Sequence, residues 1–112
     1  MNKQQYQRLV PFLHSKSARQ RVILFLLAEG VAMSKLIAMS VAGLRALKLP
    51  IPMQVYRDEM LNGHKNGPAF LYPSGNPVRE TDCRRLIHDA AEKVLGRPMS
   101  QDSFRVYIQK GN

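Results

Sequence analysis

A mainly α-helical single domain spanning residues 1–112, with five or six helices and little or no β-sheet, is what this sequence predicts. Three observations carry that prediction. The stretch Ala18–Leu47 contains a run of consecutive apolar residues, Val22 to Ala28, set between Arg19-Gln20-Arg21 and Glu29. Glu80–Leu95 repeats apolar residues at i, i+3, i+4 and i+7 through Cys83, Leu86, Ile87, Ala90, Ala91, Val94 and Leu95. Glycines and prolines punctuate the chain where helices of ordinary length would stop, at Gly30, Pro50, Pro52, Gly96 and Pro98.

In chain order, Asn2–Leu13 predicts an opening helix with Tyr6, Leu9, Val10 and Leu13 facing inward. Pro11 lacks an amide proton and kinks or ends it near Val10. Ser17 and Gln20 have the spacing of a capping box, in which each side chain satisfies an orphan amide of the other. The apolar run that follows suits a buried strand equally well on periodicity. The start signal, the Leu/Ala content and the stop at Gly30 decide for a helix covered on all sides. Leu36, Ile37, Met39 and Val41 then predict a second short helix, capped by Ser34, leaning on the first. It weakens at Gly43 and stops at Leu49-Pro50-Ile51-Pro52.

Pro52 suits the first turn of a third helix with Val55, Met60 and Leu61 inward, closing at Asn62-Gly63. His64–Asn76 reads as a loop-rich waist with Ala69–Tyr72 extended inside it. Gly96 ends the Glu80–Leu95 helix in a left-handed turn, and Pro98 prevents its continuation. Ser100–Lys110 is a last helix with Phe104 and Ile108 inward and Tyr107 at its edge. The expected core is Leu9, Val22, Leu24, Phe25, Leu27, Leu36, Ile37, Leu86, Ile87, Val94 and Phe104.

Charge is the unusual property: 17 Lys plus Arg against 8 Asp plus Glu give +9. Such an excess favours a polyanionic partner, most often nucleic acid. No block of five like charges occurs, so this is a basic surface and not a basic tail. No segment is a lysine-faced amphipathic helix, and Val22–Ala28 is far short of the ~20 residues that span a bilayer, so no membrane role is expected. A single cysteine, Cys83, rules out an intrachain disulfide. Together with an amino terminus lacking a signal-peptide h-region, it points to the cytoplasm.

The sequence predicts no metal and no cofactor. His14, His64, His88 and Cys83 have no ligand spacing, and Gly63-x-x-x-Gly67 lacks the lysine and serine of a phosphate loop. His88 has the spacing of a surface pair with Glu92. Arg84 lies on the shoulder of the apolar stripe of Glu80–Leu95 and Arg85 points away from it. Arg85–Asp89 and Asp89–Lys93 have ion-pair spacing, which makes a solvated face the plain reading. A phosphate-gripping edge of guanidinium forks is the functional one. A helix-turn-helix over Val22–Leu44 is disfavoured, since its second helix offers only Ser34, Lys35 and Ser40 for reading bases.

In its order of elements the chain resembles the catalytic domain of the tyrosine recombinase (phage integrase) family, shortened and lacking catalytic residues. The likeness runs through RVILFLLAEGVAMSKLIAMSVAGLRAL, Leu49-Pro50 to Leu61, Ala69-Phe70-Leu71-Tyr72-Pro73-Ser74-Gly75-Asn76-Pro77, and the Glu80–Leu95 helix with Ser100 to Arg105. On that resemblance the family's first catalytic arginine falls on Ala32 and the acidic residue three positions on falls on Lys35. No room remains between Leu47 and Leu49 for the strand pair carrying the catalytic lysine. The box histidine falls on Asp102, and only Arg105 matches a catalytic arginine. Tyr107 is too close to Arg105 to be the nucleophile, whose position would fall beyond Asn112. Phosphoryl transfer needs clustered positive donors around the phosphate, and one arginine does not supply them. The resemblance therefore implies no enzyme activity.

It implies instead an integrase-like DNA-binding accessory or regulatory protein of a phage, plasmid or other mobile element. The expected DNA-binding residues are Lys35, Arg84, Arg85 and Arg105, acting mainly on the phosphate backbone. The competing expectation is a protein-interaction module that docks on a recombinase or another phage or host protein. Sequence leaves the oligomeric state open.

Overall fold

Why the chain folds around Val22–Ala28 is visible at the ends of that helix. The computed structural model describes residues 1–111. Its helices are α1 (Lys3–Leu9), α2 (Ala18–Ala28), α3 (Met33–Ile37), α4 (Val41–Ala46), α5 (Ile51–Leu61), α6 (Glu80–Leu95) and α7 (Gln101–Lys110), with a 3-10 turn over Val10–Leu13. That is seven α-helices among the described residues, more than the five or six expected. The β content of the described residues is two isolated bridges, Ser40 with Pro68 and Leu71 with Pro77.

α2 starts in the anticipated capping box: the Gln20 amide donates to Ser17 Oγ at 3.2 Å and the Ser17 amide to Gln20 Oε1 at 3.0 Å. All residues from Val22 to Ala28 are buried, as expected for a helix with no polar face. At its far end Gly30 takes a left-handed φ of 94°. The Val31 amide reaches Leu26 O at 3.0 Å and the Gly30 amide reaches Leu27 O at 3.1 Å, the paired bonds of a Schellman turn. A Cβ on Gly30 would stand 3.0 Å from Arg105 Cδ. Gly30→Ala is therefore expected to cost about 1–2 kcal/mol, read as a lower urea midpoint at constant slope.

α2 lies at the centre, with α5, α6, α7 and the 3-10 turn packed around it; α1 rests on α7 and α3 on α6. Among the described residues no polar or charged side chain is buried. The Cα radius of gyration is 13.2 Å, against roughly 13 Å for a 100-residue globule, so the packing forms a single unit. Pro11 falls in the first turn of the 3-10 segment, where its missing amide is harmless. Pro52 does the same for α5, whose end at Asn62 is a left-handed residue.

Several local readings need correction. The second helix is two, and Ser34 caps neither. α3 starts after Ala32 without a side-chain cap, while Ser40 caps α4 by accepting from the Gly43 amide at 3.0 Å. Gly43 thus sits in the first turn of α4, where its amide meets the Ser40 cap. The break at Met39–Val41 comes from the waist: the Ala69 amide donates to Met39 O and the Val41 amide to Gly67 O, both at 2.9 Å. Val10 and Val55 face solvent. Met53 takes the inward place on α5, and Val55 lies about 200° round the helix from it. Ile37 and Val94 are half-buried. The rest of the expected core is buried.

Candidate nucleic-acid interface

On α6 the residues Cys83, Leu86, Ile87, Ala90 and Ala91 face the core, which leaves Arg84 and His88 one turn apart on the shoulder next to Ile87. That shoulder meets α3 and the start of α7. Between them is an open cleft of about 300 Å³ lined by Met33, Arg84, Ile87, His88 and Met99 to Asp102. Ser100 caps α7 by accepting from the Ser103 amide at 3.2 Å. The cleft thus holds an arginine, a histidine and the positive end of a ten-residue helix, with the Asp102 carboxylate on its rim.

Arg105 sits one turn along α7 from Gln101, on a shoulder shared with Gln109. These three residues close the end of α2. Gln101 Nε2 donates to Val31 O at 2.8 Å and Gln109 Nε2 to Ala28 O at 3.2 Å. Between them the Arg105 stem crosses Gly30, so its aliphatic part packs and leaves the residue only partly exposed. Nothing in the sequence pattern announced the two glutamines, because their partners lie some eighty positions away in the chain, 70 and 81 apart.

Lys35 is exposed on α3, beside buried Leu36. Arg85 is exposed on the outer face of α6, about 100° round the helix from Arg84. The structure therefore places Arg84 in the cleft, sets Arg105 over Gly30 at the α2–α3 turn and Lys35 on α3, and turns Arg85 to the outer face of α6. With α2 buried on all sides and α3 only five residues long, no helix-turn-helix reading surface is formed.

Six other arginines are engaged, whereas Lys48, Lys65, Lys93 and Arg97, like these four, form no ion pair among the described residues. Arg8 donates from Nε to Ile108 O at 2.7 Å and from Nη2 to Gln109 O at 3.1 Å, capping α7. The Arg19 guanidinium stacks 4.8 Å over Tyr72 and that of Arg21 4.7 Å over Tyr56, both pairings that sequence spacing does not disclose. Arg45 and Arg57 share Asp58 at 3.5 and 3.0 Å, and Arg79 faces Asp82 at 3.6 Å. The Arg79 amide donates to Asp82, which holds that carboxyl below its ordinary range. Lys35, Arg84, Arg85 and Arg105 form no ion pair among the described residues. Neither the Arg85–Asp89 and Asp89–Lys93 pairs nor a His88–Glu92 contact is made; long exposed side chains gain too little from such pairs to be held there.

Cys83 is fully buried, and burial pushes its thiol up to about 11. A rise of this size cuts the thiolate at neutral pH about a hundredfold. Iodoacetamide is accordingly expected to label native protein at least about a hundredfold more slowly than protein in denaturant. Rapid native labelling would show that α6 does not seal Cys83.

Among the described residues no group of three or more His, Cys, Asp or Glu side chains could hold a metal ion, and no helix is long and apolar enough to cross a membrane. No family model, curated protein or solved structure matches the chain.

Proposed function

We propose that the chain is a catalytically inactive, integrase-like DNA-binding accessory or regulatory protein of a phage, plasmid or other mobile element. The observation that carries the proposal is a net charge of +9 in which Lys35, Arg84, Arg85 and Arg105 form no ion pair among the described residues. Arg84 lines a cleft that holds a helix N-terminus, and Arg105 packs over Gly30 at the α2–α3 turn. Asp102 gives the rim a negative charge, so the grip comes from several cations around the cleft and not from an anion pocket within it. The tyrosine recombinase likeness supports the same reading. The positions it equates with the family's catalytic groups, Ala32, Asp102 and Arg105, lie where the α2–α3 turn meets α7. Alanine and aspartate there supply no positive donors to a phosphate in transfer, hence the inactive assignment.

The test is a fluorescence anisotropy titration with random-sequence duplex DNA at about 50 and 200 mM salt. Binding at the lower salt that falls steeply at the higher is expected, with no covalent adduct to supercoiled plasmid. Absence of binding at about 50–100 mM salt would remove the DNA reading. A protein-interaction module is the second reading, favoured by one observation: Ile51 and Val55 are 74% and 57% exposed on α5.

A further inference from the structure

At the other end of α2 from Gly30, a recess of about 130 Å³ opens between α1, the 3-10 turn, α2 and α5, lined by Tyr6, Val10, Leu13, His14, Arg21 and Tyr56. Arg21 is fixed there by three contacts. Its Nε donates to Lys16 O at 3.1 Å, its Nη1 donates to the Tyr56 hydroxyl, and its guanidinium carbon stands 4.7 Å over the Tyr56 ring. A guanidinium has five N–H groups, so three of them keep no partner among the described residues. Tyr56 is the acceptor in its bond with Arg21 and retains its own proton to give. Burial, reinforced by Tyr56 and opposed by Arg21, raises the Tyr6 hydroxyl above its ordinary range, which leaves it a donor at neutral pH.

These donors face no negative charge. None of the lining residues is acidic, and Arg21 forms no ion pair among the described residues. The first turn of α2, Ala18 to Arg21, holds two arginines and no acid, against the preference of a helix N-terminus for negative charge. Residues that break a local rule of this kind are expected at functional positions. A fixed guanidinium fork beside two phenol donors suits the three free oxygens of a phosphate better than the two of a carboxylate. Size narrows the ligand further. Pockets for whole small molecules run to about 300–1,000 Å³, so this one admits a single group. We propose that Arg21, Tyr6, Tyr56 and His14 form a binding pocket for one phosphate group, either inorganic or projecting from a polyanion. The pocket shares no residue with the Lys35, Arg84, Arg85 and Arg105 set and does not rest on the DNA reading.

Inorganic phosphate without DNA tests it first, followed by NMR at the Arg21 Nε–H and the Tyr6 and Tyr56 rings. At constant ionic strength, phosphate up to about 50 mM is expected to shift these signals saturably, and chloride is not. Tyr56→Phe keeps the ring beneath Arg21 and removes one donor, and Arg21→Lys keeps the charge and removes the fork. Each should raise the phosphate dissociation constant about tenfold. Arg97→Lys makes the same exchange at an exposed position outside the pocket and should leave it unchanged. Thermal melts check that the variants are folded. Two duplexes alike except for 5′-hydroxyl or 5′-phosphate ends then separate the sources by anisotropy. Tyr56→Phe weakens both when the phosphate is internal to the strand, only the phosphorylated one when it is terminal, and neither when the pocket takes free phosphate. Absence of a saturable shift, equal shifts with chloride, or a folded Tyr56→Phe variant that binds phosphate like the parent overturns the proposal.

Discussion

Phe104→Ala is expected to destabilise the protein by about 3–5 kcal/mol, the largest single-residue loss anticipated. Phe104 is fully buried, and its ring meets Phe12 edge-on at 5.1 Å and 75°. Phe12 in turn meets Tyr107 at 5.7 Å and 74°. The truncation removes a ring's worth of apolar burial, leaves a cavity, and breaks an edge-to-face contact that adds about 0.5–1.5 kcal/mol. A domain of this size has about 5–15 kcal/mol in all, so the variant should sit near the limit of folding. Each kcal/mol is read as about 4–8 °C of Tm in a domain of 60–100 residues. A melting point unchanged within a degree or two would mean that α7 is not docked on the 3-10 turn. Phe12→Ala combined with Phe104→Ala should fall short of additivity by about 1 kcal/mol, because the two rings share one contact.

The second large effect concerns DNA. With about four phosphates neutralised, log affinity should fall against log salt with a slope near −3.6. Removing Arg84, Arg85 and Arg105 together should bring that slope to about −0.9, with no change in sequence preference. The single variants discriminate further. Arg84→Ala and Arg105→Ala should each remove nearly one unit, Arg84 through the cleft it lines and Arg105 through its place over the α2–α3 turn. Arg85→Ala matches them when the duplex lies across the outer face of α6 and leaves the slope alone when it lies over the cleft. Arg105→Lys separates charge from packing by keeping the cation and much of the stem over Gly30. A triple alanine variant that binds like the parent would end the phosphate-grip account and favour the protein-interaction reading.

What sequence could and could not disclose follows the range of the interactions involved. α2 was legible because both its signals are local, a capping box three residues wide and an uninterrupted apolar run. The bounds of α6 were legible for the same reason, from periodicity and a left-handed Gly96. The break between α3 and α4 was not, because it depends on hydrogen bonds to Gly67 and Ala69 some thirty residues on. Val55 was placed inward because a β-branched residue on a short helix looks like core, and only the burial of Met53 fixes which side is which. At the candidate site, the shoulder position of Arg84 followed from helix geometry alone. The position of Arg105 did not, since it depends on the clip of Gln101 and Gln109 onto α2.

That clip also orders events during synthesis. The hydrogen bond from Gln101 to the Leu27 carbonyl joins groups 74 positions apart, and Arg8 caps α7 across 100 positions. At translation rates of roughly 5–20 residues per second, the C-terminal end of α2 waits about 4–15 s on the ribosome before its covering helix has been made. The apolar helix α2 is therefore completed only once α7 has been made, and nascent protein interrupted before Gln101 presents that unfinished end to whatever else is in the cell.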